Sequence, residues 1–244
     1  MKKRLDVLMV ERGLAETRSQ AQALVLAGRV RGYAKAGDQV DESAALELDT
    51  GPRYVSRGGE KLSGAFEALG IDVTGEDCLD VGASTGGFTH CLLQAGAARV
   101  CALDVGYGQL HPTLRSDPRV TVLERTNVRR VSCDDLPFRP TFITCDVSFV
   151  GLAKALPPAL ACAAAGWRAL VLVKPQFEAG PADVGKGGVV RDPEVRRRVL
   201  AGVRALVSSW GAELVGEVES SLPGPKGNRE HFLYLRDRAA AEAA

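Results

Sequence analysis

The chain has 244 residues, of which 45% are hydrophobic and 25% charged, with a net charge of +1; this composition excludes a disordered protein and leaves room for a small module beside a larger α/β domain. No stretch approaches the roughly 20 uninterrupted apolar residues of a membrane helix, and the basic N-terminus is not followed by the apolar core of a signal peptide, so we expect a cytoplasmic protein. The six cysteines and three histidines show no metal-ligand spacing, and we expect neither a zinc site nor a disulfide framework.

Positive charge is concentrated at the N-terminus, where residues 1–37 contain eight Lys or Arg against three Asp or Glu. Apolar residues at helical spacing predict a helix over residues 4–12. Thr17 with Gln20 forms a capping-box pattern that opens a second helix, and Gly28 is a suitable residue to close it. The first two helices are therefore expected to be basic.

A small sheet is predicted to follow these helices, because residues 30–33 and 44–48 have the composition of short strands on either side of a polar turn. We expect residues 1–50 to form one small α+β domain, residues 51–55 to be a linker, and residues 56–244 to form the second domain. The pattern contains no internal repeat.

In the second domain, strands and helices alternate as in a Rossmann-like, doubly wound sheet. Six of the seven strands can be parallel to one another. The last two strands are separated only by a loop rich in Gly and Pro, so they should pair antiparallel with each other. A mostly parallel sheet with an antiparallel last strand is typical of class I methyltransferases rather than of dehydrogenases. The predicted strands are 78–81, 99–103, 120–123, 142–145, 169–173, 214–218 and 231–235.

A glycine-rich turn joins the first of these strands to a helix, and Asp104 ends the next strand some twenty residues later. Glycines let the backbone pass close to a ligand, and a carboxylate at that distance can accept both ribose hydroxyls of a nucleoside. The turn lacks the regular pattern of a dinucleotide site and the Gly-Lys-Ser/Thr of a triphosphate site, which favours S-adenosylmethionine. The candidate cofactor-binding residues are Gly82, Ser84, Thr85, Gly86, Gly87, Asp104 and Asn127.

Four charged residues are expected to meet at one edge of the sheet. Asp146 and Lys174 each end a strand, and Glu230 begins the reversed last strand, so all three face the crevice beside the glycine turn. Lys61 lies in the helix that precedes that turn. Buried charges are unfavourable unless they are paired, and such clusters mark functional sites more often than chance would predict.

Several motifs resemble known families. Arg-Leu-Asp at 4–6, Arg-Gly-Leu at 12–14 and Gly-Arg-Val at 28–30 resemble an RNA-binding module of a small-subunit ribosomal protein. Lys61-Leu62, Asp146, Val173-Lys174 and Asn-Arg-Glu-His-Phe at 228–232 resemble the FtsJ-type ribose 2′-O-methyltransferases. With Gly-Ala-Ser-Thr-Gly-Gly at 82–87 and Lys-Pro-Gln-Phe-Glu at 174–178, the whole chain resembles the TlyA family of rRNA cytidine 2′-O-methyltransferases, some of which are called hemolysins.

The resemblance implies a metal-independent transfer of a methyl group from S-adenosylmethionine to a cytidine ribose in ribosomal RNA, in the large subunit and, as an open alternative, also the small one. Lys61, Asp146, Lys174 and Glu230 would be the catalytic set, with Lys174 either accepting the hydroxyl proton or orienting its lone pair. The partner would be ribosomal RNA or a ribosomal subunit, not a membrane, and the protein would be a monomer or a weak dimer. The implied RNA-binding residues are Arg4, Arg18, Arg29 and Arg57.

Other activities are less consistent with the sequence. Methylation of an exocyclic amine usually requires a proline-containing motif where this chain has Asp-Val-Ser-Phe at 146–149. Methylation at C5 of cytosine requires a cysteine nucleophile, but strand alternation turns Cys145 away from the side that Asp146 faces. A non-catalytic ribosome-assembly factor and a hemolysin-like pore former remain as alternatives from other classes, although no membrane-inserting segment is visible.

Overall fold

The computed structural model describes residues 1–49 and 51–242 of the chain. It divides into two compact units, Met1–Arg53 and Tyr54–Ala244, and the predicted linker over residues 51–55 spans this division. Each unit has its own apolar core, so each is described by itself.

The first unit consists of strand β1 (Lys2–Arg4), helix α1 (Leu5–Glu11), helix α2 (Arg18–Leu26) and strand β2 (Gln39–Asp41). Both predicted helices are confirmed, and the hydroxyl of Thr17 caps α2 by accepting a hydrogen bond from the backbone N–H of Gln20 at 3.2 Å.

The prediction of its strands was wrong. The sheet pairs β1 with β2 in antiparallel fashion, whereas the segments predicted as strands contribute a single bridge between Val30 and Leu48. Both of those residues pack on the core of this unit. A strand of three residues is too short to show the alternation by which strands are recognised, and packing alone accounts for the apolar residues of the bridged segments.

The second unit contains one sheet of seven strands in the order β5-β4-β3-β6-β7-β9-β8. Its last strand in sequence, β9, is antiparallel to both of its neighbours, which confirms the predicted class of fold. The strands are β3 (Asp77–Val81), β4 (Arg99–Leu103), β5 (Val120–Leu123), β6 (Phe142–Cys145), β7 (Arg168–Val173), β8 (Ala212–Glu219) and β9 (His231–Asp237). The helices are α3 (Arg57–Leu69), α4 (Gly87–Gln94), α5 (Pro112–Arg115), α6 (Leu152–Ala161), α7 (Pro175–Glu178), α8 (Pro193–Leu206) and α9 (Arg238–Glu242).

Helices cover both faces of the sheet. Successive side chains of each strand point alternately to one face and to the other. In β6, for example, Phe142 packs with α3 and α4, whereas Ile143 and Cys145 pack with α6 and α8. Since helices cover both faces, the carboxyl ends of the parallel strands are left accessible at one edge of the sheet, and ligands of such folds bind there. In the part of the chain that the structure describes, no helix is long and apolar enough to cross a membrane.

One disulfide joins Cys133 to Cys162, with the two Cα atoms 4.8 Å apart. The sequence was expected to carry no disulfide framework, and this bridge departs from that expectation. Cys133 lies in a single 3-10 turn, and Cys162 is the C-cap residue that follows α6. The two cysteines are 29 positions apart, and only the packing of the crossover segment after β5 brings them together, so their spacing in sequence carries no signal.

Candidate active site

The glycine turn connects β3 to α4 and passes directly against the end of β6. Gly82 has a φ of +84°, and a Cβ added there would lie 2.3 Å from the carbonyl oxygen of Asp146. A side chain at this position is excluded both by the left-handed backbone and by a neighbouring backbone atom that cannot move aside. The glycine is therefore required for the turn to approach the residue that ends β6.

Asp104, the residue that follows β4, is hydrogen-bonded to this turn. Its Oδ2 accepts a hydrogen bond from the backbone N–H of Ser84 at 2.8 Å, and its Oδ1 accepts one from Gly106 at 2.7 Å. These bonds hold the carboxylate in one orientation, and each oxygen retains a further lone pair for a ligand. The spacing that predicted a nucleoside site thus places an oriented carboxylate beside the glycine turn.

A first cavity, of about 450 Å³, opens beside Asp104. Its lining includes Gly82, Ser84 and Asn127, three of the candidate cofactor-binding residues, together with apolar side chains such as Val128. The side-chain oxygen of Asn127 accepts a hydrogen bond from the backbone N–H of Arg129 at 3.1 Å. A few polar groups in an otherwise apolar cleft are typical of sites for small ligands.

A second cavity, of about 460 Å³, is lined by all four residues of the predicted catalytic set. Lys61 projects from α3 and lies 2.5 Å from Oε2 of Glu230, and their side chains are only 8% and 1% exposed. Lys174 forms an ion pair with Asp146. One buried and one partly buried lysine–carboxylate pair thus line the same cavity.

Strand order explains how these residues meet. Asp146 directly follows β6, and Lys174 follows the neighbouring strand β7. Because β9 runs antiparallel to β7 with Val173 opposite His231, Glu230 lies beside Lys174 at the same edge. The two cavities also share Gly82, Ser84 and Asp146 in their linings, so the four charged side chains lie next to the cavity beside the glycine turn.

Two family models match the chain: an FtsJ-like methyltransferase model over residues 54–237 and an S4 domain model over residues 3–31. The 16S/23S rRNA (cytidine-2′-O)-methyltransferase TlyA of Mycobacterium tuberculosis is 48% identical to this chain over 245 residues, which is 97% of this chain and 91% of that protein. The chain belongs to the TlyA family of FtsJ-like methyltransferases.

Solved structures share the fold of this chain. A hemolysin-named protein of Streptococcus thermophilus superimposes with a TM-score of 0.74 at 40% identity, covering 97% of this chain and 88% of that protein. The fibrillarin of Aeropyrum pernix, solved with bound S-adenosyl-L-methionine, superimposes with a TM-score of 0.52 at 15% identity, covering 73% of this chain and 76% of that one. At that level of identity the second match shows the fold alone.

Two further polar side chains of this candidate site did not emerge from the sequence as site residues. The ammonium group of Lys174 donates to the hydroxyl of Ser148 at 3.2 Å, and the amide nitrogen of Gln176 donates to Oε1 of Glu230 at 3.3 Å. Both lie two positions after a residue of the charged set, inside motifs that the sequence analysis quotes. Their closeness in sequence to the charged set was the signal by which they could have been recognised as site residues.

Asp80 is a third polar residue whose position the sequence left unexplained. It is fully buried in the middle of β3, where its carboxylate accepts hydrogen bonds from Thr89 of α4 at 2.7 Å and Thr144 of β6 at 2.9 Å. Burial raises the pKa of Asp80 to about 6, and the two hydroxyl donors oppose that rise. Asp80 therefore ties α4 and β6 to the strand that carries the glycine turn.

Cys145 is buried on the face of the sheet covered by α6 and α8. Burial raises its pKa far above that of a free thiol, so the side chain stays protonated. A buried, protonated thiol that lines neither cavity is unsuited to act as the nucleophile of a C5 methyltransferase.

The four arginines predicted to bind RNA lie in different surroundings. Arg57 lines the second cavity and donates to the carbonyl oxygen of Pro223 at 2.8 Å. The first unit contains the other three, Arg4, Arg18 and Arg29. Arg29 donates to the backbone carbonyl of Asp49. Of the four arginines, Arg57 is thus the one that lines the second cavity.

Proposed function

We propose that this protein transfers a methyl group from S-adenosylmethionine to the 2′-hydroxyl of a cytidine ribose in ribosomal RNA. The observation that carries the proposal is the meeting of two lysine–carboxylate pairs in one cavity beside the glycine turn. The family relationship supports it, since the TlyA relative from M. tuberculosis is named as an enzyme of this specificity. We further propose that it acts in the cytoplasm on ribosomal subunits and requires no metal.

The residues around the first cavity fit S-adenosylmethionine. The carboxylate of Asp104 would accept hydrogen bonds from the ribose hydroxyls, and Asn127 would lie near the adenine. The turn between Gly82 and Gly87 would lie beneath the methionine part, where the N-terminus of α4 offers unpaired N–H groups. The bound cofactor would supply an electrophilic methyl group on a sulfonium ion.

The Asp104 assignment predicts that Asp104→Ala weakens S-adenosylmethionine binding by about tenfold to a hundredfold, because two hydroxyls lose a charged acceptor. Isothermal titration calorimetry on the full chain measures this affinity. Asp117→Ala is a matched control, since that carboxylate binds the side chain of Arg119 and is absent from the linings of both cavities. An unchanged affinity in folded Asp104→Ala protein would remove Asp104 from the cofactor site.

The chain's own residues account for the chemistry of the acceptor. A ribose hydroxyl is a poor nucleophile near neutral pH and must be desolvated, oriented and relieved of its proton. Lys174, fixed at the end of β7 and held by Asp146 and Ser148, would orient the hydroxyl through its ammonium group or, as the neutral amine, take the hydroxyl proton. Lys61 and Glu230 would complete the polar wall opposite the methyl donor, and Gln176 would hold Glu230 in place.

The first unit would supply affinity for RNA. An S4 domain model matches residues 3–31, and its arginines would contact phosphates, which positions an RNA without reading its sequence. Specificity for one nucleotide would then depend on the second unit, where the cavities lie.

The product distinguishes this function from a scaffold role. Incubating ribosomal subunits from a strain that lacks the enzyme with the protein and labelled S-adenosylmethionine should yield one or a few methylated cytidines whose 3′ phosphodiester bond resists alkaline cleavage. That resistance arises because a methylated 2′-hydroxyl cannot attack the adjacent phosphate. RNA binding without any methyl transfer would favour the alternative, a non-catalytic assembly factor, and a label on the base would contradict ribose chemistry.

A further inference from the structure

The Arg-Leu-Asp motif at 4–6 contains a carboxylate that the proposed function does not use. Asp6 is the second residue of α1, and it is fully buried although it carries a charge. An uncompensated buried carboxylate is strongly unfavourable, so its partners must be part of the reason for its presence.

Two of those partners are arginines that the sequence analysis assigns to RNA. Nε and Nη2 of Arg4 donate to the two oxygens of Asp6 at 3.1 and 3.0 Å, and Nη2 of Arg18 donates to Oδ2 at 3.1 Å. The side-chain amide of Gln22 donates to the same Oδ2 at 2.8 Å. One carboxylate thus joins side chains from β1, α1 and α2.

The arginines nevertheless remain accessible. The side chains of Arg4 and Arg18 are 46% and 55% exposed, whereas Asp6 is wholly inaccessible. Arg4 uses two of its nitrogens on Asp6 and Arg18 uses one, so each guanidinium retains N–H donors that point away from the carboxylate. These hydrogen bonds also hold the pKa of Asp6 far below its usual range, chiefly through Arg4, so the carboxylate remains charged at neutral pH.

We infer that Asp6 is a positioning residue for RNA binding, which fixes the guanidinium groups of Arg4 and Arg18 side by side as a ready-made receptor for one backbone phosphate. The inference rests on the proposed binding of ribosomal RNA by the first unit. Free arginine side chains lose rotamer freedom when they bind a phosphate, and side chains already held by a buried carboxylate lose less. Because both guanidinium groups contact the same Oδ2 atom, they are close enough to donate to one phosphate group.

The test uses the full-length Asp6→Asn variant and measures binding to purified ribosomal subunits over a range of salt concentrations. Removing a negative charge should strengthen binding to a polyanion if only long-range charge matters. We expect the opposite: affinity about tenfold weaker at moderate salt, and a plot of log K against log salt that is shallower by about one phosphate contact. Glu16→Gln is the matched control, because it removes an equal charge from an exposed position of the same unit, and it should bind as well as wild type or better.

Two further measurements separate positioning from a purely structural role. Asp6→Asn should have no additional effect on binding in an Arg4→Gln/Arg18→Gln background, since the residue would act only through those side chains. Arg4→Lys keeps the charge but cannot form the two-point contact with Asp6, and it should weaken binding even if Asp6→Asn fails to fold. Circular dichroism and thermal unfolding report whether each variant is folded, because S-adenosylmethionine would bind the second unit and its affinity would not report on the first.

The possible results are distinguishable. Folded Asp6→Asn protein that binds subunits as tightly as wild type, or more tightly, overturns the positioning role while leaving the proposed function intact. An effect of Asp6→Asn that persists undiminished without the two arginines overturns it as well. A wild-type protein whose binding to subunits does not depend on salt would remove both the inference and the proposed role of the first unit.

Discussion

Replacing Lys174 with alanine is expected to abolish methyl transfer while leaving the affinities for S-adenosylmethionine and for ribosomal subunits nearly unchanged. The residue follows β7, so its backbone is fixed, and its side chain lies in the second cavity against Asp146 and Ser148. Loss of a positioned proton acceptor typically lowers the rate by about 10²–10⁴. Single-turnover transfer of labelled methyl groups to ribosomal subunits measures this step directly.

Two variants make the result specific. Lys174→Arg should not rescue activity, because a guanidinium group does not give up its proton and has a different shape from an ammonium group. Lys154→Ala removes an exposed lysine from α6 and should leave the rate unchanged. Substantial activity in folded Lys174→Ala protein would exclude Lys174 from the chemical step and would shift attention to Lys61 of the neighbouring pair.

The second large effect is expected at Gly82. A Cβ at this position would lie 2.3 Å from the carbonyl oxygen of Asp146, and that oxygen belongs to the backbone. Gly82→Ala must therefore displace either the glycine turn or the end of β6, and both line the two cavities. Because misplacement by about 1 Å can lower a rate by about 10²-fold, we expect methyl transfer to fall by at least that factor and cofactor affinity to fall as well.

Gly75→Ala provides the matched control. Gly75 also has a positive φ, +76°, but a Cβ there meets nothing within 4 Å. This variant carries the strain of a left-handed backbone, about 1–2 kcal/mol, without the collision. Thermal unfolding and calorimetry on both variants separate the two effects: similar losses of affinity in Gly75→Ala and Gly82→Ala would show that backbone strain, rather than the approach to Asp146, is responsible.

Much of the second unit is determined by local sequence. Most of the strands are short apolar runs separated by helical segments, so all seven were recognisable, and the Gly- and Pro-rich loop before β9 dictated its reversed direction. The glycine turn and Asp104 are likewise predictable, because a turn between strand and helix and a carboxylate at the end of the next strand have a fixed spacing. Strand order then brings Asp146, Lys174 and Glu230 to one edge without any knowledge of side chains.

Tertiary packing decided the remaining features, because they depend on which residues meet rather than on their neighbours in sequence. Lys61 and Glu230 are 169 positions apart, and the sequence placed both at one edge but gave no indication that they pair with each other. The bridge from Cys133 to Cys162 and the pairing of β1 with β2 were missed because neither has a local signature. Asp6 is the clearest case: in sequence it is one acid among basic residues, and only folding buries it beneath two arginines and makes its charge their anchor.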